Sequence, residues 1–230
     1  MAGAPGALPV TVVHGLWMRP LAMGVLARRL ARAGPEETGL IPHRFGYPSR
    51  RAPIAEHAAR LDDWLLARHT PGEPLGFVGH SLGGIVLRAL AARRPEWFAA
   101  ARTVQLGSPN RGSAGAARIV GSRAGHWWLG VAGRELADTG PEGPVALPVP
   151  GGAVGVIAGT RGRRLTAPFM DDVSDGMVHL RETALPGAER RCFPVSHMRL
   201  MFSSVVAKAT AHFLREGRFP ADGRAAGTVC

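Results

Sequence analysis

The sequence predicts an α/β protein in which about six mostly parallel strands are flanked by helices. Two patterns carry that prediction. Short apolar or β-branched runs alternate with stretches of helical periodicity, the mark of repeated strand–helix–strand units. Between these runs fall most of the 31 glycines and 19 prolines, which suits a fold with many short connections. A length of 230 residues, 46% of them apolar, fits one ordered globular domain with one sizeable core.

The elements follow in order. Pro9 to Val13 is β-branched and ends at His14-Gly15, which reads as a buried strand and then a loop. A helix begins near Pro20, a residue suited to a first turn; Met23, Leu26, Leu30 and Ala33 form its apolar face, and Gly34-Pro35 stop it. An extended piece spans Leu40 to Phe45. The next helix runs from about Pro53 to Arg68, with Ile54, Ala58, Leu61 and Leu65 on one face. Leu75 to Val78 is a strand that runs into Gly79-His80-Ser81-Leu82-Gly83. Behind it, Gly84 to Arg94 is apolar on nearly every face, so this helix is expected to be buried. Further strands are Thr103 to Leu106, Val154 to Ala158 and Arg191 to Val195, the last delivering Ser196-His197. A closing helix carries Phe202, Val205, Ala209 and Phe213 and is capped by Gly217. Gly107 to Ala153 reads as rim loops with one or two short helices.

Composition excludes several function classes. No run approaches the roughly 20 apolar residues of a membrane helix, and Met1 to Leu8 leaves no room for a basic segment and an apolar signal core. A cytoplasmic protein without integral membrane association is expected. Cys192 and Cys230 suggest neither a disulfide framework nor a metal site. The formal charge of +11 invites a nucleic-acid reading, but only Lys208 among 28 basic residues is lysine. The arginines are scattered in ones and twos, as an Arg-rich codon usage would leave them, so no nucleic-acid partner is expected. The charge does allow weak contact with anionic substrates or membrane surfaces.

A serine hydroxyl needs an adjacent base to become a nucleophile, and it must stand clear of the sheet. Gly79-His80-Ser81-Leu82-Gly83, between a strand and a buried helix, has the G-x-S-x-G spacing of a strained nucleophile elbow. Ser81 is the candidate nucleophile, and His80 reads as a structural neighbour. Two backbone N–H groups should stabilise an oxyanion: Leu82, after the nucleophile, and Leu16, in the His14-Gly15-Leu16-Trp17 loop after the first strand. The base should follow the acid in the chain. His197, between the last strand and the closing helix, fits better than His179, which is too near the acid, or His212, inside a helix. Asp175, ahead of Gly176, is the candidate that orients His197; Asp172 and Asp171 compete with it.

Taken together, these segments resemble the bacterial lipase and esterase branch of the α/β-hydrolase superfamily, including lipase-like and GPI inositol-deacylase-like proteins. The resemblance runs from about Val10 to Phe219 and rests on five pieces. They are Val12 to Trp17, Gly79 to Gly84, Leu106 to Ser113, Ser174 to Val178, and Ser196-His197. Asn110 stands where the family often has His. The resemblance implies a minimal α/β-hydrolase fold lacking the first two of eight strands and any large cap domain. It implies hydrolysis of an acyl ester or lipid by Ser81, His197 and Asp175, with no metal or organic cofactor. Thioester hydrolysis or acyl transfer would use the same residues. A non-catalytic ligand-binding member would be favoured by a missing triad residue, and all three are present. Dehalogenase and epoxide-hydrolase chemistry would need a carboxylate at position 81. Trp127-Trp128 could line an acyl pocket, but packing of a rim helix is the favoured reading. The acyl group is expected in an open cleft between the Leu16-Trp17 loop and the Gly107 to Leu129 region.

Overall fold

The computed structural model describes residues 6–33, 39–162, 173–221 and 226–230. Strand β1 (Leu8–Val13) pairs in parallel with β2 (Leu40–Phe45), with Val13 opposite Phe45. On its other side β1 pairs with β3 (Gly76–His80). Outward from β3 follow β4 (Arg102–Leu106), β5 (Ala153–Gly159) and β6 (Glu189–Phe193), all parallel. The two-residue β7 (Thr228–Val229) closes that edge antiparallel, giving the order β2-β1-β3-β4-β5-β6-β7. All six expected strands are present, with ends displaced by up to two residues. The seventh is too short to carry a periodic signal.

This order places a ligand site before any side chain is considered. The chain passes from β1 out to β2, then returns to the opposite side of β1 for β3. Connections therefore diverge from the carboxyl ends of β1 and β3 and leave a crevice between them. His14 follows one of these ends and Ser81 the other.

Alternate residues of the strands feed two cores. On one face Val10, Val12 and Val78 pack with Met23, Leu26 and Leu30 of the first helical segment and with Val206 and Phe213. That layer is built by α1 (Gly24–Ala31), entered through a 3-10 turn at Pro20–Met23, and by α6 (Ser204–Glu216). On the other face Val13 and Phe77 pack with Leu61, Leu65, Ile85 and Val86, from α2 (Ile54–Leu66) and α3 (Leu82–Arg93). Buried on both faces, the central strands carry short apolar runs, with Thr11, His80, Thr103 and Gln105 among them as buried polar residues.

Two expectations change. The closing helix does not use Phe202, which ends a 3-10 turn and is exposed, while Val205 is only half-buried. The Ser203 hydroxyl accepts the Val206 N–H (3.3 Å), so the helix starts after Phe202 and buries Val206, Ala209, Thr210 and Phe213. Gly217 closes it in the left-handed conformation, as expected. The Gly34-Pro35 stop lies outside the described residues. The cysteine reading is corrected: Cys192 and Cys230 form a disulfide, with Cα atoms 5.7 Å apart. Pairing of Cys192 with Thr228 brings the end of the chain beside β6, and a separation of 38 residues leaves no local pattern that announces it.

The rim segment forms α4 (Ala114–Val120) and α5 (Arg123–Leu136), capped by the Ser113 and Ser122 hydroxyls. At Gly130 (φ 67°, ψ −165°) α5 breaks, because the Arg50 backbone occupies the space a Cβ would need. The Arg50 carbonyl there accepts the Val131 N–H (2.8 Å). Among the described residues no helix is long and apolar enough to cross a membrane.

Candidate active site

Ser81 occupies the turn between β3 and α3 at φ 54°, ψ −123°, a region L residues seldom enter. Its N–H donates to the Leu106 carbonyl (2.9 Å), which pins the turn to β4. The flanking glycines are required by close approach: a Cβ on Gly79 would lie 2.5 Å from the Gly84 nitrogen, and one on Gly83 would strike the Val13 carbonyl. α3 can therefore press against β1 and β3, and Ser81 is raised at its start. Leu82 begins α3 with a buried side chain, and its N–H is one of the first-turn donors without an intrahelical acceptor.

His197 and Asp175 come together from separate loops. His197 Nδ1 donates to Asp175 Oδ2 (2.7 Å), and both side chains are buried. Asp175 Oδ1 accepts the Met177 and Val178 N–H groups (3.0 and 2.8 Å), a turn that Gly176 permits at φ 97°. The His197 N–H returns to the Asp175 carbonyl (2.9 Å), so backbone as well as side chains tie the loops. With its proton on Nδ1, His197 presents an unprotonated Nε2. His197 and Ser81 both line one pocket. His179 instead caps a 3-10 turn with Glu182, and Asp171 and Asp172 lie outside the described residues.

His80 holds this arrangement from below. Its Nε2 contacts the His197 carbonyl (3.2 Å), and the two rings are 4.7 Å apart. Burial, then the neighbouring His197 charge, pushes His80 down to about 3, so it stays neutral. This agrees with its reading as a structural neighbour. Its Nε2 carries the proton if that contact is a hydrogen bond to the carbonyl.

The loop after β1 lies against the elbow: a Cβ on Gly15 would meet Ser81 Cβ at 3.0 Å. His14 Nδ1 bonds to the Gly15 carbonyl (2.9 Å), and the Tyr47 hydroxyl donates to the His14 carbonyl (2.7 Å) while the two rings stack. Burial holds His14 below the ordinary histidine range. Leu16 is buried on the pocket wall, next to Trp17 at φ 59°, strained backbone that no motif in the sequence announced.

The pocket has a volume of about 380 Å³ and lies where the acyl cleft was expected. α4 and α5 line it with Ala116, Ile119, Trp128, Leu129 and Leu136. The packing reading of Trp127-Trp128 is corrected. Trp127 is 74% exposed and Trp128 46%; Trp128 lines the pocket and rests on Trp17 at 4.1 Å, while Leu129 is buried in the core.

Two further contributions escaped sequence reading. Gly107, at φ 59°, leaves room for the pair: a Cβ there would lie 3.1 Å from both Asp175 Oδ2 and His197 Nδ1 and 2.8 Å from Leu200. Asn110, the departure from the family pattern, donates to Gln105 Oε1 (2.7 Å) and the Thr183 carbonyl (3.0 Å). Its own carbonyl accepts from the buried Arg88 (2.9 Å), which burial lowers to about 10. Asn110 thus braces the loop that carries Gly107. The resemblance marked the Leu106 to Ser113 segment, but what Gly107 and Asn110 do there shows only once the loops are placed.

No sequence-family model and no curated protein matches the chain. Solved structures do resemble it. A Bacillus licheniformis lipase, BlEst2, superposes in its mature form with a TM-score of 0.66 at 15% identity, covering 95% of both chains. In its propeptide form the TM-score is 0.69 at 18% identity over 87% of this chain, which spans about half (48%) of that longer one. A metagenomic carboxyl esterase, MGS0156, gives 0.65 at 15% identity, covering 94% of this chain and 76% of the other. The chain has the α/β-hydrolase fold, and the neighbours that share it are lipases and esterases.

Proposed function

We propose that this chain is a serine hydrolase that cleaves a carboxylic ester through an acyl-enzyme on Ser81. The observation that carries the reading is the meeting at one pocket of a strained Ser81 and a His197 fixed by Asp175 (2.7 Å). His197 Nε2 takes the Ser81 proton as Oγ attacks the acyl carbon, then returns it to the leaving alcohol. Asp175 holds the tautomer and stabilises the imidazolium. The Leu16 and Leu82 N–H groups receive the oxyanion. Water deprotonated by His197 then releases the acid.

The unit is one domain, its acyl pocket lined by α4 and α5. The lipase and esterase neighbours support an ester or lipid substrate by fold alone. The disulfide favours an oxidising compartment over the cytoplasm expected from the sequence. The test is a screen of dissolved p-nitrophenyl esters by acyl length, with acyl-CoA thioesters alongside. Ester turnover that rises with chain length until the pocket fills, then flattens, is expected. Turnover of thioesters alone would make it a thioesterase, and no turnover of either would refute the reading.

A further inference from the structure

Beside the acyl pocket lies a second groove of about 680 Å³, and its chemistry is opposite. Arg19, Arg50, Arg51 and Arg134 line it together with His126, and no acidic side chain does. Arg19 and Arg51 are exposed, and among the described residues no carboxylate pairs with Arg19, Arg51 or Arg134. At four other arginines the charge is balanced locally: Arg93 and Arg94 share Asp62, Arg60 meets Glu56, and Arg191 meets Glu189. Gathering unpaired guanidiniums in one concavity is unfavourable unless an anion occupies it.

The groove is built and not merely lined. Arg50 is held over the Trp127 ring (5.1 Å), its guanidinium donating to the Trp127 carbonyl, and its own backbone forces the break at Gly130. Trp17 is the shared wall: it lines both the acyl pocket and the groove, and its indole N–H donates to the Trp128 carbonyl (2.8 Å). A molecule that crosses Trp17 would place one end in the apolar pocket near Ser81 and the other among the arginines. Planar guanidiniums match the several acceptor oxygens of a phosphate better than a single carboxylate would use them.

We infer that this groove is a subsite for the phosphate of an amphiphilic acyl ester whose acyl chain lies in the apolar pocket. The inference deepens the hydrolase reading and rests on it for the fate of the ester. A glycerophospholipid and an acyl-CoA both carry that chemistry.

Binding is measured first, because it is independent of turnover. By calorimetry on the full chain, hexyl phosphate should bind at least about tenfold more tightly than hexanol. The difference should collapse in Arg19→Ala/Arg51→Ala/Arg134→Ala and return in part in the corresponding triple Lys variant, which restores the charge without the guanidinium fork and so separates lost charge from a lost fold. Equal binding of the two probes, or an undiminished difference in the Ala variant, overturns the subsite. An effect on partition to anionic vesicles with none on hexyl phosphate overturns it too, in favour of general membrane attraction. Kinetics then identify the source. Dihexanoyl phosphatidic acid, as monomers, should exceed dihexanoyl glycerol in kcat/KM if a lipid headgroup is the ligand, whereas preference for hexanoyl-CoA assigns the groove to the nucleotide thioester. Phosphate binding without turnover of any of these leaves the subsite standing and removes the hydrolase reading alone.

Discussion

Asn in place of Asp175 tests the His197 assignment through hydrogen-bond direction. Asp175 Oδ1 accepts two backbone N–H groups, from Met177 and Val178, and Oδ2 accepts His197 Nδ1. An asparagine has one acceptor to offer. If its oxygen faces His197, its NH₂ faces two backbone donors in a buried turn, leaving both unsatisfied at a cost of about 1–3 kcal/mol each. The amide therefore settles with its oxygen on Met177 and Val178 and its NH₂ against His197 Nδ1. That nitrogen must then accept, the proton moves to Nε2, and His197 cannot take the Ser81 proton. The expected loss is about four orders of magnitude in kcat, or roughly 5.5 kcal/mol of transition-state stabilisation. The fold should persist, since the two backbone bonds survive. The assay is p-nitrophenyl butyrate hydrolysis alongside thermal melts of Asp175→Asn and Asp172→Asn. A loss under tenfold in Asp175→Asn, or a crippling loss in Asp172→Asn instead, would refute the reasoning.

Three further outcomes follow from the same geometry. Gly107→Ala should lower kcat by about a hundredfold or more, because its methyl group displaces the His197–Asp175 pair; unchanged steady-state rates would show that the pair can move without consequence. His80, neutral and depressed to about 3, binds no proton in the folded chain where the unfolded chain begins to bind one. Stability is therefore full above the unfolded histidine value and falls as pH drops toward 3, by about 2 kcal/mol between pH 7 and pH 5. Urea melts at the two pH values should show this, and His80→Gln should remove much of it; an equal slope in the variant would assign the acid loss elsewhere. Cys230→Ser opens a loop of 38 residues, which should cost about 4 kcal/mol and lower Tm by roughly 10 °C, with kcat little changed.

Most of the scaffold was legible because a parallel sheet writes itself plainly into sequence. Val10 to Val13 are β-branched throughout, Phe77-Val78 are apolar, and helices such as α2 keep a single stripe. The candidate site was legible where chemistry would coincide with a chain boundary: Ser81 between strand and helix, His197 after β6, Asp175 before a glycine. What stayed hidden depends on contacts distant in sequence. The Cys192–Cys230 bridge needs β7, Trp17 combines a left-handed backbone with a tie to Trp128, and Gly107 matters only because Asp175 and His197 arrive from elsewhere. Trp127 and Trp128 were misjudged since a Trp pair in a helix looks the same in sequence whether it packs inward or stands at the mouth of a pocket. Ala209 and Phe213 were read correctly on the α6 face, but Phe202 was not, because the Ser203 cap and not hydrophobic spacing fixes where that helix begins.

The central claim is that Ser81, and no other serine, is activated for acyl transfer. Treating the chain with a fluorophosphonate and locating the adduct by peptide mass spectrometry tests it most directly. The account predicts one adduct per chain, on the peptide containing Ser81, absent from Ser81→Ala and formed far more slowly in His197→Ala. Labelling undiminished in Ser81→Ala, or none in the unaltered chain, would contradict it.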